Sequence, residues 1–152
     1  MPETGSKPRT IRTIIGFDFG LRRVGVALGI TATGTASPLT TISYQTPDTL
    51  WREIDNLITE WQPQHLLVGM PNLHSGQKHT LEKPIRQFAQ SLKKRFYLET
   101  EFIDESFSSR DAETRLKQMR QAGRHKRIDK TEIDKQAAAL LVEQWLEQNA
   151  SA

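Results

Sequence analysis

The chain contains no cysteine among its 152 residues, which excludes disulfide bonds and thiolate metal sites. It has no apolar run of about eighteen residues, the length that a transmembrane helix needs. Its N-terminal segment lacks the apolar core of a signal peptide. Internal repeats and low-complexity segments are also absent. These absences predict a soluble, cytoplasmic protein with no membrane partner.

Length, composition and charge set the next limits. A chain of 152 residues with 36% hydrophobic residues has the size of one domain and can bury a substantial core. We expect this domain to span residues 12–148, between a flexible N-terminal tail of residues 1–11 and a C-terminal tail of residues 149–152. The net charge of +3 permits a polyanionic partner without requiring one. The placement of the charges is therefore more informative than their sum.

Hydrophobic periodicity predicts a mixed α/β sheet. Strands are predicted over residues 13–20, 23–30, 34–42, 65–71 and 97–104. Helices are predicted over residues 49–61, 81–96, 108–121 and 132–148. The first two strands should form a hairpin, and Pro38 should confine the third to an edge or a bulge. Three strands followed by alternating helices and strands indicate one sheet with helices packed on its faces.

A carboxylate stands inside the first predicted strand, IIGFDFG. Alternation along that strand places Asp18 on the same face as Gly16 and Gly20. A carboxylate removed from water needs a hydrogen bond, a counter-charge or a metal ion. The simplest partner is an arginine across the turn, Arg22 or Arg23, and metal binding is the alternative.

A second acidic pair ends the last predicted strand. Asp104 and Glu105 stand at a strand-to-helix junction, where open α/β sheets commonly have ligand sites. A structural explanation competes with this one, because Ser108 and Asp111 have the spacing of a weak capping box. Such a cap accounts for the serines better than it accounts for Glu105.

The third acid, Asp134, lies at the start of the last predicted helix. With Thr131 it has capping-box spacing, and an acid in the first turn favours the helix dipole. However, Asp134 shares a helix face with Ala138 and Leu141, and small residues there allow close packing on a sheet. Asp134 could therefore point inward, towards the other two acids.

Three carboxylates drawn together from two strands and a helix need counter-charge, which divalent metal supplies. Mg²⁺ and Mn²⁺ prefer carboxylate and water oxygens, and two-metal phosphodiester hydrolysis uses ions about 3.5–4 Å apart. The sequence therefore raises the hypothesis that Asp18, Glu105 and Asp134 hold two Mg²⁺ or Mn²⁺ ions and act as the catalytic residues.

A strongly basic segment precedes the helix that carries Asp134. Its cationic residues are Arg120, Arg124, His125, Lys126, Arg127 and Lys130, opposed only by Asp129. The segment could be a solvated loop or a phosphate-binding one. Its closeness in sequence to Asp134 favours phosphate binding. No aromatic residue is interleaved with this charge, so stacking on single-stranded bases is not indicated.

Several motifs in order give the sequence a family resemblance. GFDFGLRRVGVALG, TGTASPL, LLVGMP, FIDESFSS and IDKQAAALLVE together span roughly residues 12–148. The chain resembles the YqgF family of RNase H-like proteins, described as pre-16S rRNA nucleases and Holliday junction resolvases. The resemblance implies an RNase H-like fold, a five-stranded mixed sheet flanked by helices, with Asp18, Glu105 and Asp134 as metal ligands.

The resemblance also implies a function: metal-dependent endonucleolytic hydrolysis of structured nucleic acid, with RNA favoured over branched DNA. Processing of the 5′ end of pre-16S rRNA during ribosome biogenesis is the first expectation, and resolution of Holliday junctions is the alternative. The expected substrate-binding residues are Arg22, Arg23, Arg110, Arg124, Lys126, Arg127 and Lys130. The sequence departs from the family pattern at Ser106, where an arginine is usual, and at Ser75, where an aspartate is usual.

Two other functions fit parts of the pattern. Actin-like and sugar-kinase ATPases share the fold and the Asp-X-Gly hairpin, but they close two such domains around a nucleotide, and this chain has the size of one. A non-catalytic RNA-binding factor for ribosome assembly is the second, although retention of all three acids argues against lost catalysis. The oligomeric state stays open between a monomer and a weak homodimer.

Overall fold

The computed structural model describes residues 11–71, 80–105, 114, 118 and 130–149. The helix predicted over residues 108–121 lies outside the described residues except for Thr114 and Gln118, both of which are helical. The basic segment lies outside them up to Lys130. The remaining elements form one five-stranded sheet with helices on both faces.

The first three strands form an antiparallel meander. β1 (Thr13–Phe19) and β2 (Arg23–Ile30) pair as the predicted hairpin. β3 (Thr35–Ser43) pairs with β2 at the edge of the sheet. The register of β2 and β3 shifts between Val26 and Ala27, where Pro38 is the partner of Ala27. Proline has no amide hydrogen to give to a ladder, so the predicted edge and bulge are both confirmed.

The other two strands are parallel to β1. β4 (His65–Met70) pairs with β1, and β5 (Glu99–Asp104) pairs with β4. The strand order is β3-β2-β1-β4-β5, so β1 is central. Because β1, β4 and β5 run in the same direction, their carboxyl ends lie at one end of the sheet. Asp18 and Glu105 both lie there. The predicted five-stranded mixed sheet is confirmed.

Among the described elements, two helices cover one face of the sheet. α1 (Pro47–Trp61) begins at an N-cap, Thr46, whose side chain accepts a hydrogen bond from the Thr49 amide. α2 (Glu82–Phe96) packs beside it, and Arg95 donates two hydrogen bonds of 2.9 Å to the Asp55 carboxylate on α1. Their apolar faces meet the β1 side chains that alternation directs to this face, which include Ile15 and Phe17. Within the part of the chain that the structure describes, this is the larger of two hydrophobic cores.

One helix, α3 (Lys130–Gln148), covers the opposite face. Its buried residues, Gln136, Ala137, Ala138, Ala139, Leu141, Val142, Trp145 and Leu146, occupy much of its circumference. The three consecutive alanines are almost fully buried, and their small side chains let the helix axis approach the sheet. The second core forms here, around Ile14, Leu67 and Val142.

The start of α3 differs from the prediction. The described part of the helix begins at Lys130, two residues before the predicted Glu132. Thr131 is therefore a helical residue whose carbonyl accepts a hydrogen bond from the Thr41 hydroxyl of β3. Asp134 lies beyond the first turn and is not a capping-box acid. Packing of the helix against β3 supports its first turn, which local capping signals alone did not predict.

None of the helices in the described part of the chain has both the length and the apolar character needed to cross a bilayer.

The tight packing of α3 gives a test of how the helix is placed. A methyl group on Gly25 of β2 would run into the main-chain carbonyl of Asp134, whereas one on Gly29 would meet only side chains, of which Val142 is the nearest. We expect Gly25→Ala to destabilise the protein by about 1–3 kcal/mol and to displace Asp134, since backbone cannot rotate away.

Gly29→Ala is the matched control on the same face of the same strand. It should also lower the melting temperature, but it should leave the carboxyl end of the sheet intact. Thermal unfolding together with Mn²⁺ titration of both variants checks this. Equal loss of metal affinity in the two variants would show that the Gly25 contact does not position Asp134.

Candidate active site

Asp18 lies near the carboxyl end of the central strand, between two glycines on the neighbouring strands. On one side it is directly opposite Gly25 of β2. On the other side, Gly69 of β4 follows Val68, the residue that pairs with Phe17. Glycines on both sides leave open space above the sheet around the Asp18 carboxyl group. The sequence-predicted arrangement of a carboxylate among glycines therefore extends across three strands.

Each of these glycines has another acidic residue above it. A side chain on Gly69 would collide with the carboxyl group of Glu105, and one on Gly25 would collide with the backbone of Asp134. Glu105 reaches this position because its amide donates a hydrogen bond of 3.3 Å to the carbonyl of Met70, which continues the chain beside β4. Asp134 reaches it because α3 lies close to β2. The absence of two side chains thus makes room for two of the acids.

The carboxyl groups of Asp18 and Glu105 lie close enough to share a hydrogen bond. A carboxyl–carboxylate hydrogen bond requires one shared proton, because two ionised groups would repel. Burial raises the pKa of Glu105 to about 9, helped by the neighbouring charge of Asp18. Burial also raises the pKa of Asp18 to about 6, while the hydrogen bond from Glu105 opposes that rise and the charge of Asp134 adds to it. At neutral pH, Glu105 is therefore the protonated partner.

Asp134 is held by an arginine. Its Oδ2 accepts a hydrogen bond of 2.6 Å from Nε of Arg23, and both side chains are partly exposed. This ion pair joins α3 to the β1–β2 turn. The expectation that Arg22 or Arg23 pairs with Asp18 is wrong, because Asp18 is bonded to Glu105 and Arg23 reaches the helix instead.

A cleft of about 340 Å³ opens at this end of the sheet. The residues that line it are Asp18, Phe19, Gly20, Leu21, Arg22, Arg23, Leu81 and Asp134. Phe19, Leu21 and Leu81 give it an apolar side, and Leu21 is 62% exposed. The acids and arginines give it a charged side. A cleft of this kind can hold a charged group beside an apolar one, as a nucleotide requires.

The predicted substrate-binding residues fall into two sets. Arg22 and Arg23 line the cleft, and Lys130 is exposed at the start of α3. The others, Arg110, Arg124, Lys126 and Arg127, lie outside the described residues, as do Ser75 and Ser106, the two departures from the family pattern.

The donor set suits a hard divalent cation. Asp18 and Glu105 share a proton where a cation would replace it, and Asp134 adds its negative charge to the surroundings of Asp18. Within the described residues, however, no three acidic or histidine side chains are already arranged around one metal position. Asp134 is engaged by Arg23 instead. Two of the three predicted ligands are therefore adjacent, and the third lies in the same cleft.

Sequence reasoning missed the residues that make room for the acids and the one that fixes the turn. Hairpin register counted from the turn at residues 20–22 would have placed Gly25 opposite Asp18, but Gly69 gave no such signal. Tyr44 was also missed: its hydroxyl donates a hydrogen bond of 2.7 Å to the Gly20 carbonyl, and its amide donates one of 3.0 Å to the Arg22 carbonyl. Tyr44 thereby holds the turn that carries both arginines.

Comparison with known sequences gives a family. Residues 12–148 match the RuvX family, described as Holliday junction resolvase. A protein of Dechloromonas aromatica named "Putative pre-16S rRNA nuclease" is 39% identical over 135 residues, covering 89% of this chain and 90% of that protein. A Methylobacillus flagellatus protein of the same name is 38% identical over 151 residues, covering 99% of this chain and 100% of that one.

Comparison with solved structures confirms the fold. Thermus thermophilus RuvC in complex with a Holliday junction has a TM-score of 0.56 at 10% identity, covering 91% of this chain and 97% of that one. The yeast mitochondrial Holliday junction resolvase also has a TM-score of 0.56, at 11% identity, covering 96% of this chain and 85% of that one. At such low identity the likeness concerns the fold alone.

The shared proton makes the stability of the metal-free protein depend on pH. Both carboxyl groups bind their protons more tightly in the folded chain than in the unfolded chain, where their pKa values are near 3.8 and 4.5. Their contribution is therefore complete below those values and is lost as pH rises through about 6 and about 9. We expect the melting temperature in EDTA to fall across this range.

Glu105→Gln keeps the size of the side chain and a hydrogen-bond donor, so it should remove the decline at the alkaline end. Glu99→Gln, an exposed change at the start of the same strand, is the control and should follow the wild type. Melting temperatures recorded in EDTA from pH 4 to pH 9 make the comparison. A wild-type profile that rises with pH would contradict the shared proton.

Proposed function

The chain belongs to the RuvX family, and on that basis we propose that it is a metal-dependent endonuclease that hydrolyses phosphodiester bonds in structured RNA. The proposed substrate is the 5′ end of pre-16S rRNA, in the cytoplasm, during ribosome biogenesis. The observation that carries the proposal is the partly buried carboxyl pair of Asp18 and Glu105 beside Asp134, at the carboxyl end of a central strand and next to a cleft lined by arginines.

We assign the metal ligands to the three acids. Asp18 is the central one, because it is on the rigid central strand between the other two, and Glu105 and Asp134 each complete one side. When bound, a pair of Mg²⁺ or Mn²⁺ ions supplies an activated water for in-line attack and stabilises the charge on the leaving 3′-oxygen. The products are then a 5′-phosphate and a 3′-hydroxyl.

The side chains around the acids have supporting roles. Glu105 must give up its proton before it can hold a cation, so metal binding competes with the hydrogen bond to Asp18. The hydrogen bond from Arg23 to Oδ2 holds the Asp134 side chain at the cleft in the absence of a cation. Arg22, on the exposed turn, is available for the substrate phosphate. The cleft also has an apolar side, which includes Phe19 and Leu81.

A second candidate substrate is branched DNA, which the description of the family favours. RNA and DNA phosphodiesters present the same chemistry to the metal ions, so the cleavage assay should include a precursor 16S rRNA fragment and a four-way DNA junction side by side. Cleavage of the junction alone would replace the RNA assignment with the DNA one.

The decisive variant for the enzyme is Asp18→Asn. The amide keeps the size of the side chain but lacks the charge needed to hold a divalent ion. Loss of a residue that only orients a metal ligand costs about 10–100-fold, so loss of the central ligand should lower Mn²⁺-supported cleavage by about a hundredfold or more. The variant should fold, with a melting temperature in EDTA equal to or above that of the wild type, because one charge of the adjacent carboxyl pair is removed.

Asp48→Asn serves as the matched control, since Asp48 is an exposed aspartate in the first turn of α1. Its cleavage rate should stay within about twofold of the wild type, as for most surface substitutions away from a site. Cleavage and thermal unfolding are measured on the same preparations. A folded Asp18→Asn variant that cleaves as fast as the wild type would refute the assignment. A wild type that binds RNA but cleaves neither substrate with Mg²⁺ or Mn²⁺ would favour the non-catalytic binding factor.

The basic segment carries a separate prediction. We expect simultaneous replacement of Arg124, Lys126 and Arg127 by alanine to weaken nucleic-acid binding. The slope of log K against log salt concentration should become shallower by about 0.7–0.9 per lost phosphate contact. The control removes three exposed cations elsewhere, Arg12, Lys93 and Lys94, and should change the salt slope much less. Equal slopes in the two triple variants would mean that only net charge matters.

A further inference from the structure

A second pocket lies beside the cleft, on the other side of the β1–β2 turn. Its volume is about 520 Å³, within the range of about 300–1,000 Å³ typical of small-molecule sites. The residues that line it are Arg22, Arg23, Ser43, Tyr44, Gln45 and Thr49. Because Arg22 and Arg23 also line the cleft, the two spaces are neighbours separated by one turn. We call the second space the β3–α1 pocket.

The lining of the β3–α1 pocket is cationic and rich in hydrogen-bonding groups. Two of its described residues are arginines and none is acidic. Ser43 and Thr49 contribute hydroxyl groups, and Gln45 contributes an exposed amide. Such groups both donate and accept hydrogen bonds. This lining suits a ligand that has one anionic group and neutral hydroxyl groups.

The two arginines differ in how much charge they have to offer. Arg23 is bound to Asp134, so its charge is partly balanced within the protein. Arg22 is exposed and forms no ion pair with any residue in the described ranges. It stands between the cleft and the pocket. Arg22 is therefore the cation best placed to bind a phosphate that links a group in one space to a group in the other.

The wall between the two spaces is firmly held. The Tyr44 side chain is half-buried in the pocket wall, and its hydroxyl is bonded to the Gly20 carbonyl. A second bond, from the Tyr44 amide to the Arg22 carbonyl, fixes the turn itself. Because its backbone is fixed before any ligand arrives, less conformational entropy is lost when the turn binds one. The pocket is thus a built feature rather than a gap left by a loose loop.

We propose that the β3–α1 pocket binds the ribonucleotide adjacent to the scissile phosphate. Arg22 contacts the connecting phosphate, and the Gln45 amide and the Thr49 hydroxyl contact the ribose. This rests on the function proposed above and adds a subsite to it. The 2′-hydroxyl is both donor and acceptor, as these side chains are, and it is the group that distinguishes RNA from DNA. The pocket is therefore also a source of preference for RNA.

The phosphate contact is tested with Arg22→Ala. The probe is a fluorescein-labelled single-stranded oligoribonucleotide of about ten nucleotides, measured by anisotropy in EDTA so that no metal-dependent cleavage occurs. We expect affinity to fall about tenfold at low salt, with a salt slope smaller by about 0.7. Arg12→Ala, the same change at the opposite end of β1, is the control and should leave both values close to wild type. Equal affinity and slope in Arg22→Ala and the wild type would overturn the phosphate contact.

The ribose contact is tested with a Gln45→Ala/Thr49→Val double variant. Its affinity is compared for RNA and DNA oligonucleotides of the same sequence. We expect the wild type to bind RNA more tightly than DNA. In the double variant, the ratio of RNA affinity to DNA affinity should fall by about threefold or more. Arg22→Ala should weaken both oligonucleotides equally. Gln45→Ala/Thr49→Ser, which restores one hydroxyl, should recover part of the preference. An RNA preference unchanged by the double variant would overturn the ribose assignment.

These binding measurements separate the subsite from the chemistry. If the wild type and its variants bind as predicted but the wild type does not cleave, the nuclease proposal is refuted and the subsite proposal stands. If the wild type cleaves but all variants bind as tightly as it does, the nuclease proposal stands and the subsite proposal is refuted.

Discussion

The rest of the site depends on one constraint: two carboxyl groups, those of Asp18 and Glu105, are partly buried and lie close together. Because they are partly removed from water and close to each other, ionising both is costly in the metal-free chain, and the pKa of Glu105 rises to about 9. The same proximity that costs stability as pH rises creates a position that a divalent cation can occupy favourably. The fold thus maintains an unfavourable pair whose cost a bound cation would relieve.

Close packing on both sides of the central strand makes this arrangement possible. Glu105 lies above Gly69 and the backbone of Asp134 lies above Gly25, on the two strands that flank Asp18. Buried alanines on α3 let the helix come near enough for the second of these contacts. Glycine inside a strand gives up side-chain packing and ordering entropy. Here the missing side chains leave room for acidic residues next to Asp18, so Gly25 and Gly69 belong both to the sheet and to the candidate site.

In the proposed function, the β1–β2 turn links the metal site to the substrate-binding residues. Arg23 ties the turn to Asp134 on α3, while Tyr44 ties it to the end of β3. These contacts come from elements on either side of the turn, so the position of the turn depends on how both elements pack. Arg22, in the same turn, remains available to an anion. One short segment therefore separates the cleft from the β3–α1 pocket and can align a nucleic-acid strand across both.

The sequence by itself determined the five strands, the three helices described over their length and their order, and it raised the three acids as candidate ligands. Period-two and helical patterns are local, and Pro38 signals its own edge position, so none of these needed the tertiary structure. Family motifs singled out Asp18, Glu105 and Asp134. Only the tertiary structure decided which residues meet. Arg23 pairs with Asp134 rather than Asp18, and Glu105 lies over Gly69. It also decided where α3 starts, which is before the predicted capping signal. Each depends on contacts between residues distant in the chain, whose energies no local pattern encodes.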